Sequence, residues 1–129
     1  MSDPSAKGPV VRGAVDPDCL FCKIVAGQIP ATKEFEDDLI VAIRDINPQA
    51  PTHLLLLPRA HVASAASLTR KDGELLGAIF DAAAKLARRE EIATNGYRIV
   101  TNVGRDGGQT VDHLHFHLLG GRRFAWPPG

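Results

Sequence analysis

The sequence has no excess of either charge: 15 Lys+Arg stand against 15 Asp+Glu over 129 residues, before five histidines titrate. A broad electrostatic attraction for nucleic-acid backbone or anionic lipid is thereby excluded, so any phosphate binding must come from a local site. Long apolar runs are missing too. Stretches such as Leu54 to Pro58 and Leu39 to Ile43 fall far short of the roughly 20 residues that cross a bilayer. Residues 1–15 carry Pro4, Gly8, Pro9 and Gly13 without a continuous apolar segment, which disfavours a secretory signal and marks them as a flexible N-terminal arm of a cytoplasmic protein. Cysteine is scarce, with Cys19 and Cys22 alone, and in a reducing compartment that spacing favours metal or redox chemistry over a structural staple. No repeat or low-complexity tract occurs. At 44% apolar and 23% charged, residues 16–129 suffice for one domain with a substantial core.

Asp18 is placed to cap a short helix from Cys19 to Ala26, with Gly27 suited to a left-handed C-terminal position and Pro30 barring continuation. Lys33 to Glu36 and Leu39 to Asp45 read as two strands joined at Asp37-Asp38. After the proline-bearing loop Asn47 to Thr52, the run His53 to Leu57 reads as a central strand, with a buried helical segment as the alternative. Thr69 and Asp72 open a capping box, and Leu75, Ile79, Ala83 and Leu86 share one face of a long helix ending near Ala93. Asn95-Gly96 is a turn, Tyr97 to Asn102 a strand, Gly104 to Gly108 a glycine-rich loop, and Val111 to Leu119 a strand of alternating polarity. Five strands without steady strand-helix alternation point to an antiparallel α+β sheet with one long and one short helix.

His113, His115 and His117 alternate with Leu114, Phe116 and Leu118. On a strand the imidazoles then share one face, about 7 Å apart, while the apolar side chains pack on the core. A surface strand tolerating histidines, or a cluster gathering adventitious metal, would be the bland explanation. A neutral imidazole is, however, a good nucleophile near pH 7 when a neighbour holds the proton on its other nitrogen, and adjacent histidines provide such neighbours.

The segment His113-Leu114-His115-Phe116-His117-Leu118-Leu119 matches the His-x-His-x-His-x-x signature, with x apolar, of the histidine triad superfamily. The resemblance spans roughly Asp18 to Gly129 and includes Phe35-Glu36-Asp37-Asp38, Asp45 to His53, Gly107 to Val111 and the closing Trp126-Pro127-Pro128-Gly129. Gly120-Gly121-Arg122 and that ending resemble the Hint branch, the histidine triad nucleotide-binding proteins. The resemblance implies the HIT-like fold, a homodimer joining two five-stranded sheets, and hydrolysis of purine nucleoside 5′-phosphoramidates to a monophosphate and an amine.

By the same resemblance His115 is the nucleophile at the α-phosphorus, His117 donates hydrogen bonds to the phosphate, and His113 and His53 support the row. Asn102, Gly108, Gln109, Thr110 and Val111 match the phosphate-side loop, Thr110 standing where Ser is common, whereas a glycine loop alone would be a plain turn. Asp45 resembles the carboxylate that grips the ribose, and Leu20, Phe21, Ile24, Ile29, Ile43, Ile46 and Leu55 match the apolar walls of the base pocket, a role compatible with ordinary core. Ile43 replaces an aromatic common at its position. Trp126 falls on the leaving-group side of the pocket or in dimer packing, while Arg122 and Arg123 read as solvated surface charge.

Cys19 and Cys22 need two more soft ligands to complete a tetrahedral zinc site. Many bacterial members of the superfamily use two such cysteines with the histidine after Pro-x-x and the first triad histidine, here Cys19, Cys22, His61 and His113. That zinc would be structural, and no catalytic metal is required. A thioredoxin-like redox pair and two inert buried thiols are the rival readings. The expected activity is therefore a nucleoside phosphoramidase acting through a nucleotidyl-histidine, with no nucleic-acid or membrane partner. The alternatives are a dinucleoside polyphosphate hydrolase, a nucleotide-binding adaptor with little turnover, and a zinc-stabilised dimerisation module.

Overall fold

The longest strand takes the centre of the sheet. In a computed structural model describing residues 16–129, β3 (Thr52–Pro58) is buried along its whole length. It pairs antiparallel with β2 (Ile40–Arg44) on one side and β5 (Phe116–Gly120) on the other. The outer strands β1 (Lys33–Glu36) and β4 (Tyr97–Val100) complete the antiparallel order β1-β2-β3-β5-β4. The expected arm, residues 1–15, lies outside the described residues. The five-stranded antiparallel sheet with one long and one short helix is as the sequence led us to expect, and residues 53–57 are strand rather than helix.

Both faces of the sheet are covered, because the period of two sends alternate side chains to opposite sides. On one face α2 (Gly73–Arg89) buries Leu75, Ile79, Ala82, Ala83, Leu86 and Ala87 against Leu54, Leu56, Leu114, Phe116 and Leu118. On the other, the short helix α1 (Leu20–Val25) lays Phe21, Cys22 and Ile24 on Val41, Ile43, Leu55 and Leu57. The histidine row thus shares the side of the sheet that α1 covers.

Local chemistry sets the boundaries. The capping box of Thr69 and Asp72 is present, although it caps a 3-10 turn, Arg70–Asp72, that feeds α2. The helix stops at Arg89 and does not reach Ala93: Glu91 adopts a left-handed φ of 61°, and the Ile92 N–H returns to Ala87 O at 2.9 Å. That reversal tucks Ile92 into the core beside Gly120, where an added Cβ would meet Ile92 Cδ1 at 2.5 Å. At α1 the cap is Cys19, whose Sγ accepts from the Cys22 N–H at 3.4 Å, and not Asp18, whose own N–H turns back to Asp16 Oδ1 at 2.9 Å. Asp37 closes the β1–β2 turn, its Oδ1 accepting from the Leu39 and Ile40 N–H groups.

The largest departure is at β5, which begins at Phe116 and not at Val111. The β3 ladder stops at the Leu56–Phe116 pair although β3 itself runs on to Pro58, and β4 ends at Val100 opposite His117. Residues 113–115 satisfy their backbone by other means: Leu114 N–H donates to Val62 O at 2.6 Å, and His115 O accepts the Thr101 hydroxyl at 2.9 Å.

Candidate functional site

The triad histidines still face one side. Phe21 meets His113 and His115 edge-on, with centroid separations of 5.8 and 5.0 Å, and the His115 and His117 rings stand 5.1 Å apart. The rings are thus closer than a regular strand spacing would put them. Phe21, taken in the sequence as a pocket wall, is thereby also a ring-orienting contact.

Fixed hydrogen-bond partners determine which nitrogen carries each proton. His115 Nδ1 lies 2.7 Å from His113 O, a carbonyl that only accepts, so Nδ1 is protonated and Nε2 keeps a free lone pair. The Gln49 N–H donates to His53 Nδ1 at 3.0 Å, which leaves the His53 proton on Nε2. His53 Nε2–H in turn donates to His117 Nδ1 at 2.8 Å, leaving the His117 proton on Nε2. A nitrogen lone pair on His115 and an N–H donor on His117 thus sit on adjacent rings. Burial, with the like-charged His115 and His53 beside it and Asp45 opposing, pushes His117 down to about 4, so this donor is neutral at physiological pH. Burial also lowers His53, opposed by Asp45, whose Oδ2 is 3.4 Å from His53 Nε2.

A second cluster lies one step along the row. Cys19 Sγ, Cys22 Sγ, and one nitrogen each of His61 and His113 all lie within 4.8 Å of one another. Nδ1 of His113 is 3.3 Å from Cys19 Sγ and 3.6 Å from Cys22 Sγ, and Nδ1 of His61 is 3.5 Å from Cys22 Sγ. Tetrahedral zinc, with Zn–S of about 2.3 Å and Zn–N of about 2.0 Å, demands sulfur-nitrogen edges of about 3.5 Å. The donor set therefore fits such an ion. His113 Nε2–H donates to Pro58 O at 2.9 Å, which turns the Nδ1 lone pair toward the sulfurs and supplies the outer hydrogen bond typical of metal-bound imidazoles. Burial pushes His113 down to about 4, keeping it neutral as a ligand must be, and pushes the Cys22 thiol up, which a bound cation would reverse.

The glycine-rich loop is tight. A Cβ on Gly107 would strike the Val103 carbonyl oxygen, and Gly108 has a left-handed φ of 86°. Gln109 braces this turn: Nε2 donates to Ala63 O at 2.7 Å and Val111 O at 3.0 Å, while Oε1 accepts from the Gly104 N–H at 2.9 Å. The Gly108 and Gln109 N–H groups donate to Arg105 O and Gly104 O, so the loop's own fold consumes these expected phosphate donors. Asn102 is half-buried and Thr110 exposed.

Of the expected pocket walls, Phe21, Ile24, Ile43 and Leu55 are gathered in one buried cluster, with Ile29 and Val111 packed on it. Leu20, Ile46 and Trp126 stand apart as exposed side chains, Ile46 almost fully so. Asp45 sits at the start of the β2–β3 loop with Oδ1 accepting from the Asn47 N–H at 2.8 Å. Sequence reasoning did not single out Thr101, the Pro58 carbonyl or the Gln49 N–H. Threonine at the end of a strand was the one available hint; the other two are backbone groups that no side-chain pattern reveals.

The site is thus an antiparallel sheet carrying a lone-pair imidazole, His115, beside an imidazole N–H donor, His117. A family model described as the HIT domain matches residues 26–124, and the chain belongs to that family. It is 48% identical over 112 residues to an uncharacterized HIT-like protein of Synechococcus elongatus, covering 87% of this chain and 97% of the relative. It is 44% identical over 105 residues to the purine nucleoside phosphoramidase of Escherichia coli K12, covering 81% and 88%. The crystal structure of a HIT family hydrolase from Legionella pneumophila superposes with a TM-score of 0.85 at 55% identity, covering 87% of this chain and all of that one. No helix among the described residues is long and apolar enough to cross a membrane.

Proposed function

We propose that this protein hydrolyses purine nucleoside 5′-phosphoramidates through a covalent nucleotidyl-histidine. The observation that carries the proposal is the proton arrangement: His115 Nδ1–H is held on His113 O, so Nε2 is the nucleophile. Nε2 forms a bond to phosphorus while the phosphorus-nitrogen bond breaks, and the amine departs with that electron pair, taking a proton from water. Bonding to phosphorus makes the ring cationic, and the His113 carbonyl then stabilises the charge at Nδ1–H. His117 Nε2–H and the Thr110 hydroxyl donate to the phosphoryl oxygens as charge develops on them, with Asn102 beside them. The hydroxide left by that proton transfer then attacks phosphorus and displaces Nε2, releasing the monophosphate and restoring the lone pair.

Asp45 would take the ribose hydroxyls on the oxygen that faces His53, and the cluster of Phe21, Ile24, Ile29, Ile43 and Leu55 would back the base, with Leu20 and Ile46 at its open edge. The identity to the Escherichia coli phosphoramidase supports this substrate class over dinucleoside polyphosphates. Cys19, Cys22, His61 and His113 would hold structural zinc, whose chemistry is to tie α1 to the segment preceding the catalytic strand. A homodimer in the cytoplasm belongs to the same reading, and the open edge of β4, with Tyr97 exposed, supports it. AMP release from adenosine 5′-phosphoramidate by wild type and His115→Ala tests the proposal. Release by wild type and loss in the variant is expected; equal release by both overturns it. Wild-type turnover of diadenosine polyphosphate alone would shift the reading to that class.

A further inference from the structure

Arg122 makes contacts that a solvated surface charge does not make. Its Nε and Nη2 both donate to Gln49 O, at 3.2 and 3.1 Å, its Nη1 donates to Arg123 O at 3.1 Å, and its guanidinium lies 4.3 Å from the centre of the Phe124 ring. Arg98 covers the same ring at 5.1 Å and donates to Ala125 O at 3.0 Å, which holds the tail in place. Gly121 brings the tail so close to the β2–β3 loop that an added Cβ would meet Pro51 Cβ at 2.8 Å. The residue whose carbonyl Arg122 grips is the one whose N–H fixes the His53 tautomer.

We propose that Arg122 is a positioning residue for catalysis: by clamping the Gln49 carbonyl it keeps the Gln49 N–H on His53 and thereby keeps the His117 proton on Nε2. The inference rests on the reading of His117 as a donor to the phosphoryl group. If the Gln49 N–H swings away, the His53 proton is free to move to Nδ1, and His53 Nε2 then accepts from His117 Nδ1–H. His117 would present a lone pair, not a proton, to phosphoryl oxygens. Asp45 Oδ2, 3.4 Å from His53 Nε2, favours the productive tautomer independently, so losing Arg122 weakens the bias without abolishing it. The rest of the loop is braced by itself, through Asn47 N–H to Asp45 Oδ1 and Gln49 Nε2 to Asn47 O, so the fold does not depend on Arg122.

The test is the imidazole 15N spectrum of wild type, Arg122→Ala and Arg122→Lys as purified, with ring signals assigned through His53→Gln and His117→Asn. Wild type should show His53 and His117 protonated at Nε2 and bare at Nδ1. In Arg122→Ala both nitrogens of His53 should move toward averaged values, and Arg122→Lys, lacking the two-pronged fork, should fall between. On adenosine 5′-phosphoramidate kcat should fall about fivefold in Arg122→Ala while KM stays within about twofold. Unchanged ring signals in a folded variant overturn the proposal whatever the activity. Should Arg122→Ala fail to fold, wild-type ring signals in Arg122→Lys overturn it equally. Absent wild-type turnover would sink the functional reading while the spectra still decide the tautomer role.

Discussion

Lowering the pH should cost this protein stability in a window set by His117. Free histidine titrates near 6.5, and burial holds His117 down to about 4 in the folded state. Between those values the unfolded chain binds a proton that the folded chain refuses, so stability rises with pH there. The contribution is fully present above about 6.5, is lost as pH falls through about 4, and saturates below that. The gap, at roughly 1.4 kcal/mol per unit, sets an upper bound of about 3.5 kcal/mol. The perturbation is His117→Asn, which removes the titrating ring. Urea denaturation at half-unit steps from pH 7 to pH 4, both proteins at equal metal loading, measures the difference. Wild type should take up close to one more proton on unfolding than the variant near pH 5, whatever their stabilities at pH 7. Parallel stability curves would refute the placement of His117 as a half-buried neutral ring.

Thr101→Val keeps the shape of the side chain but removes the hydroxyl that binds His115 O at 2.9 Å. It should destabilise by about 1–2 kcal/mol in urea denaturation and, on the proposed mechanism, lower kcat, because an unpaired carbonyl frees the backbone carrying His115. Gly120→Ala forces a Cβ onto Ile92, which is itself packed in the core, and should lower stability by about 1–3 kcal/mol, read as a drop in Tm; an unchanged Tm would show that the α2–β4 connection yields. Cys22→Ser should reduce zinc content by elemental analysis from about one ion per chain and lower Tm, and a chelator should lower the Tm of wild type but not of the variant. Metal-free wild type with a Tm indifferent to added zinc would contradict that assignment.

The parts of the fold that were legible in the sequence are those governed by local patterns. The Thr69–Asp72 capping box, the left-handed Gly27, the Asp37 turn and the apolar run of β3 each announce themselves within a few residues. Where the sequence misled, a distant partner decided. Alternation over Val111 to Leu119 predicts a strand, yet strands need neighbours, and the pairing with β3 stops at Leu56 and Phe116. Ile92 ends α2 early because the core beside Gly120 has room for it and for nothing larger on Gly120. In the site, residue types and spacing singled out the histidine row and the Cys19–Cys22 pair, and the family resemblance added His61 and His113 to that pair; the fold brings these four together. Proton positions were not legible, since they depend on the His113 carbonyl and the Gln49 N–H, backbone groups common to every sequence. Gln109 illustrates the reverse: its side chain suggests a phosphate donor, but the fold uses its whole amide to close the loop.

The most direct test of the central claim is to trap the covalent intermediate. Wild type mixed with adenosine 5′-phosphoramidate, quenched with alkaline denaturant during turnover and digested, should yield a peptide bearing one added adenylyl group on His115. The adduct should be absent from His115→Ala. An adenylyl group on another residue, or turnover with no adduct at any quench time, would contradict His115 as the nucleophile.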